Sequence, residues 1–183
     1  AYKRVDVAIQ AANMLRFPLK IIGAGRDEKR LKEMAGPTVE FLGRLSDADV
    51  QTCLQRCRAL IFPGLEDFGI VPVEAMACGK PIIAYGRGGA LDTVIDGVTG
   101  LFFAEQTAES LVKAIDAFRP DEFDPYQIRK HAETFDVSVF RRKMKQFIEE
   151  KYEQHQANYG LPQPAMLQEG LAPLDYEVEP KLV

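Results

Sequence analysis

Short apolar runs that end in glycine or a turn alternate along this chain with stretches whose apolar residues recur every three or four positions. Residues 19–25 (LKIIGAG), 39–45 (VEFLGRL), 58–64 (RALIFPG), 80–86 (KPIIAYG) and 100–103 (GLFF) have the length and bounding residues of strands. Between them residues 5–15, 28–34, 47–56, 71–77, 90–95 and 108–118 carry helical spacing, with Ser46 and Thr107 placed as N-caps. This alternation predicts an α/β fold, a Rossmann-like doubly wound parallel sheet covered by helices on both faces. Two more helices are expected over 126–134 and 137–155. From residue 158 the periodicity stops, so 1–157 reads as one folded domain and 158–183 as an extended or disordered tail. The chain opens in a helix pattern, YKRVDVAI, whereas such a sheet normally opens with a strand that becomes central. A first strand upstream of residue 1, in a longer protein, is therefore expected.

Composition narrows the function classes. A chain of 183 residues, 46% hydrophobic, is long enough to close a core. With 23 Lys+Arg against 27 Asp+Glu the net charge of -4 gives no global attraction to nucleic acid, so any polyanion is bound locally. Cys53, Cys57 and Cys78 are too few for a disulfide framework and read as reduced core thiols. No apolar run approaches the roughly 20 residues of a spanning helix. The expectation is a cytoplasmic chain without a transmembrane segment. No cluster has metal-ligand spacing, and His131 and His155 fall in the late helices, so metal-independent chemistry is expected.

Candidate chemistry concentrates in EDFGIVPVE, where Glu66 and Glu74 flank Gly69 and Pro72 at a strand-to-helix junction. Phe68, Gly69, Ile70 and Val71 form the helix N-terminus, whose free N–H groups and dipole suit a phosphate. Gly69 permits close approach of a ligand, and Pro72 in the first turn loses no hydrogen bond. Glu66 precedes that N-terminus and Glu74 lies a turn inside, so the two carboxylates could each take a pair of sugar hydroxyls on either side of a docked diphosphate. By spacing alone, two glutamates eight apart are common on solvated loops and helices and do not mark a site. The GAG of residues 23–25 fails as a dinucleotide fingerprint, because Glu28 stands where the third glycine belongs. Cys78 has no histidine nearby in sequence to activate it and reads as a small packing residue.

EDFGIVPVE resembles the E-x7-E motif of glycosyltransferase family 4, the retaining GT-B enzymes. VEFLGRLSD, CGKPIIAYGRGGALDTVIDGVTGLFF and YKRVDVAI fall where that family's C-terminal, donor-binding domain has matching segments. More narrowly, residues 60–94, with FDPYQIRKHAETF after them, are similar to the WbaZ-like mannosyltransferases of polysaccharide assembly. The resemblance implies a hexosyltransferase with GDP-mannose as donor substrate, no cofactor, and a glycan or lipid-linked acceptor held by an N-terminal GT-B domain that this chain lacks. It assigns Lys3 to the donor diphosphate and Glu66 to the donor sugar. Gly23 and Gly25 fall in the loop that closes on the nucleotide, Arg44 and Leu45 at the base. Phe68, Gly69, Ile70 and Val71 supply phosphate-facing amides, and Glu74 meets the ribose. Removal of Glu66 is then expected to leave GDP affinity unchanged. Asp92 departs from the pattern, since relatives carry glutamate there. A GT-B epimerase and a non-catalytic nucleotide-sugar-binding module are the alternatives.

Overall fold

The computed structural model describes residues 2–159. The strands are β1 (Leu19–Ile22), β2 (Val39–Gly43), β3 (Leu60–Phe62), β4 (Ile82–Tyr85) and β5 (Gly100–Phe103). The helices are α1 (Val5–Leu15), α2 (Glu28–Met34), α3 (Asp47–Arg56), α4 (Ile70–Ala77), α5 (Ala90–Thr93), α6 (Ala108–Ala117), α7 (Pro125–Ala132) and α8 (Val137–Tyr159). Ser46 and Thr107 are N-caps as expected, accepting from the backbone N–H groups of Asp49 and Ser110.

All strand pairs are parallel. β3, β4 and β5 run side by side in that order, with Leu60 opposite Ile82 and Ile82 opposite Gly100. Successive side chains alternate across the pleat and fill two cores. Leu60, Phe62, Ile82 and Ala84 pack with Leu54 of α3, Ala75 and Met76 of α4, and Ile128 and Ala132 of α7. Ile61, Ile83, Tyr85 and Phe103 pack on the other face with Val7, Ala8 and Ala11 of α1 and Leu111 and Ala114 of α6. Burial on both faces is why these strands read as continuous apolar runs.

β1 and β2 form a separate ladder, Leu19 opposite Val39 through Ile22 opposite Gly43, with a register shift between Ile21 and Ile22. Among the described residues no ladder joins β1 to β3, so the single expected sheet is in two pieces. Leu19 and Ile61 nevertheless reach the same core.

Element ends differ from the sequence reading where backbone geometry intervenes. α4 starts at Ile70, a residue early, because Gly69 adopts the left-handed conformation and takes the N-cap position. α5 stops at Thr93, short of 95, because Val94 is extended and the next N–H, of Ile95, is taken by the Thr99 hydroxyl at 2.8 Å. The three cysteines are free but partly exposed rather than fully buried. Cys57 donates its S–H to the Leu54 carbonyl, and burial, ahead of any nearby charge, pushes its thiol above the ordinary range.

Residues 1–136 form one compact unit and Val137 opens a second, whose described part is α8. That helix continues through residues 158 and 159. The rest of the expected tail lies outside the described residues. No helix among the described residues is long and apolar enough to cross a membrane.

Candidate functional site

The parallel strands carry their following loops at one end, and the loop after β3 is the most constrained. Beyond Phe62 the chain passes through buried Pro63 and Gly64 before turning into exposed Leu65 and half-buried Glu66. Gly64 lies flush against the N-terminal segment, since a Cβ there would come within 3.1 Å of the Lys3 Cα and 3.2 Å of the Tyr2 carbonyl. This close approach sets the Lys3 Nζ 2.5 Å from Oε1 of Glu66. The Glu66 side chain is 15% exposed against 48% for Lys3. Oε1 is sealed from solvent, and its contact with Lys3 has ion-pair distance without hydrogen-bond direction. The two residues assigned to diphosphate and sugar are thus brought together, facing each other.

Next along the chain is the α4 N-terminus. Gly69 sits at φ 84° and ψ 79°, a conformation a β-carbon disfavours, and an added Cβ would press on the Phe62 ring at 3.1 Å. No side chain caps the helix, and Ile70 and Val71 in its first turn are exposed. Pro72 is buried and has no N–H to leave unpaired. Phe68 turns its ring edge-on to Phe135, 5.8 Å between centroids, and Phe135 meets His131 in the same way. His131 also bonds the Thr93 carbonyl at 2.9 Å and is a packing residue. Glu74 stands one turn into α4 and is exposed. An uncapped N-terminus with open first-turn amides, one cation and two carboxylates beside it is suited to an anion that also carries hydroxyls.

Gly23, Gly25, Arg44 and Leu45 form a second group at the ends of β1 and β2. The Gly23 N–H donates to the Gly43 carbonyl at 2.6 Å, tying the two loops together. Gly23, Gly25 and Arg44 are exposed and Leu45 is half-buried. Asp92, in the first turn of α5, is exposed as well.

Two supports of the site carry no expectation from the sequence. The loop after β4 lies beneath the Glu66 loop, where the Gly89 N–H donates to the Glu66 carbonyl at 2.7 Å. A Cβ on Gly89 would collide with the Asp67 carbonyl and the Phe68 Cα. The GG pair in YGRGG is the signal that could have revealed this approach. The second support is a bridge across the chain. The Arg4 guanidinium donates to Asp6 and, at 3.0 Å, to the Gln106 side-chain oxygen, while the Gln106 amide donates to the Pro63 carbonyl at 2.8 Å. It fixes the turn bearing Lys3 against the end of β3, and no motif or periodicity marks Gln106.

Comparison with known proteins bears on this geometry. The family model described as Glycosyl transferases group 1 matches residues 1–135. An uncharacterized glycosyltransferase of Methanocaldococcus jannaschii is 36% identical over 118 residues, covering 62% of this chain and 34% of that protein. The GDP-mannose-dependent monoacylated alpha-(1-6)-phosphatidylinositol monomannoside mannosyltransferase of Corynebacterium glutamicum is 35% identical over 113 residues, 54% of this chain and 29% of that protein. The chain thus spans about a third of the length of these relatives. Among solved structures, HepE of Anabaena in complex with UDP superposes with a TM-score of 0.69 at 23% identity, over 81% of this chain and 46% of that one. The architecture is the α/β arrangement with parallel sheets found in GT-B glycosyltransferases.

Proposed function

Because this chain belongs to the glycosyl transferases group 1 family, we propose that it is the C-terminal, nucleotide-sugar-binding domain of a retaining family 4 enzyme that transfers mannose from GDP-mannose to a glycan or lipid-linked acceptor. The observation that carries this reading is the Lys3–Glu66 pair beside the uncapped N-terminus of α4. The GDP-mannose in the name of the Corynebacterium relative supports the donor.

The chemistry follows from where charge develops. As the bond between the sugar and the diphosphate breaks, negative charge grows on the diphosphate and the sugar ring becomes cationic. Lys3 and the amides of Gly69, Ile70 and Val71 oppose the first charge, and Glu66 stabilises the second. These groups are the counter-ions in this reading, which assigns no step to a metal or cofactor. Glu74 holds the ribose, while the Gly23, Gly25, Arg44 and Leu45 loops face the base. The acceptor belongs to an N-terminal domain outside this chain, working on the cytoplasmic side. Glu66 is given no covalent role in this reading, which assigns it the stabilisation of the cationic ring.

Calorimetry tests the donor site. GDP and GDP-mannose should bind this chain, and Glu74→Ala should weaken both by roughly 1 to 3 kcal/mol if it accepts from two ribose hydroxyls. Unchanged affinity for both in a folded variant would remove Glu74 from the site. UDP- or ADP-sugars binding better than GDP-mannose would replace the donor. Sugar transfer by the longer protein separates the transferase from an epimerase and from a binding module.

A further inference from the structure

We propose that the Lys3–Glu66 pair is an exchange element that makes the site favour a sugar nucleotide over a bare nucleoside diphosphate. The inference rests on the donor-site reading above and adds a property which that reading lacks. A diphosphate arriving at the α4 N-terminus engages Lys3 by drawing it away from Glu66. The carboxylate then loses its counter-ion in a place where its side chain is only 15% exposed and Oε1 is closed to water. A largely covered charge without a partner is costly. A ligand that also brings hydroxyls recovers that cost at Glu66, and a bare diphosphate does not.

Which partner moves is also decided. The Glu66 backbone is held by the Gly89 N–H, and the glycines beneath the loop leave it no slack. Lys3 has a fixed backbone against Gly64 and a flexible, half-exposed side chain, whose ammonium also lies 5.2 Å from the Tyr2 ring centroid. The lysine swings and the glutamate stays. It follows that removing the Glu66 charge strengthens binding of a bare diphosphate, in place of the expected absence of effect.

The experiment is a titration of GDP, UDP and inorganic pyrophosphate into the full chain, Glu66→Gln, Lys3→Met and the double variant, with folding followed by thermal melt. Glu66→Gln is expected to bind the best of these probes roughly threefold to tenfold more tightly than the unsubstituted chain. The gain should shrink when Lys3 is methionine. Glu66→Asp, which retracts the carboxylate but keeps its charge, should shift affinity in the same direction and stands in if the Gln variant misfolds. Equal or weaker binding by folded Glu66→Gln overturns the exchange while leaving the donor site intact. A gain of the same size with and without Lys3 overturns it too, since that is simple charge repulsion. Failure of every probe to bind any of the proteins overturns both the exchange and the reading it rests on.

Discussion

Strands β3, β4 and β5 send side chains into cores on both faces, whereas β1 and β2 touch those cores through Leu19 alone among the described residues. The flanking helices repeat the contrast, since α4 buries Pro72, Ala75 and Met76 while α2 buries nothing. The loops at the strand ends inherit the difference. Glu66 is set by backbone packing against Gly88 and Gly89, while the loops of Gly23 and Arg44 are joined by the Gly23–Gly43 hydrogen bond and are open to solvent. In the proposed function Glu66 meets developing charge, which calls for a rigid support, and close packing supplies one. The loops proposed to face the base have less demand for it.

The contrast is sharpest in the cores. Met76→Ala removes a fully buried side chain from the β3–β5 half and should cost about 2 to 5 kcal/mol. Phe41→Ala, in a half-buried residue of β2 with the Lys32 ammonium over its ring, should cost only about 1 kcal/mol. Chemical denaturation measures both, and equal losses would break the comparison. Gly89→Val should come next, at about 1 to 3 kcal/mol from overpacking. It should also abolish GDP binding by displacing Asp67 and Phe68, whereas Gly25→Ala, which meets open space, should keep stability. Intact GDP affinity in Gly89→Val would show that the Glu66 loop needs no support from beneath.

The smallest expected effect depends on pH. Burial raises the Cys57 thiol in the folded chain, so folding favours its protonated form. That stabilisation is complete below the ordinary thiol value of 9.0 and is lost as pH rises through the higher folded value. Melting temperatures recorded across the alkaline range should therefore fall less steeply for Cys57→Ala than for the unsubstituted chain. Identical slopes would mean that this end of α3 is wetter than its packing implies.

Sequence by itself determined the order of strands and helices and the Ser46 and Thr107 caps, and it named the junction proposed as the site. Each is local physics: apolar periodicity reports which face is covered, Ser46 and Thr107 satisfy amides three residues on, and a glycine and proline around a strand-to-helix junction announce an anion-ready helix start. What only tertiary structure decided is which charges meet. Lys3 and Glu66 lie 63 positions apart, and Gln106 joins Arg4 to Pro63 from a third segment. No periodicity records such meetings, because they depend on where β3 ends relative to the start of α1 and the loop before α6. The division of the sheet was hidden for the same reason, since a strand's pattern tells which faces are buried and not which neighbour its edge will find.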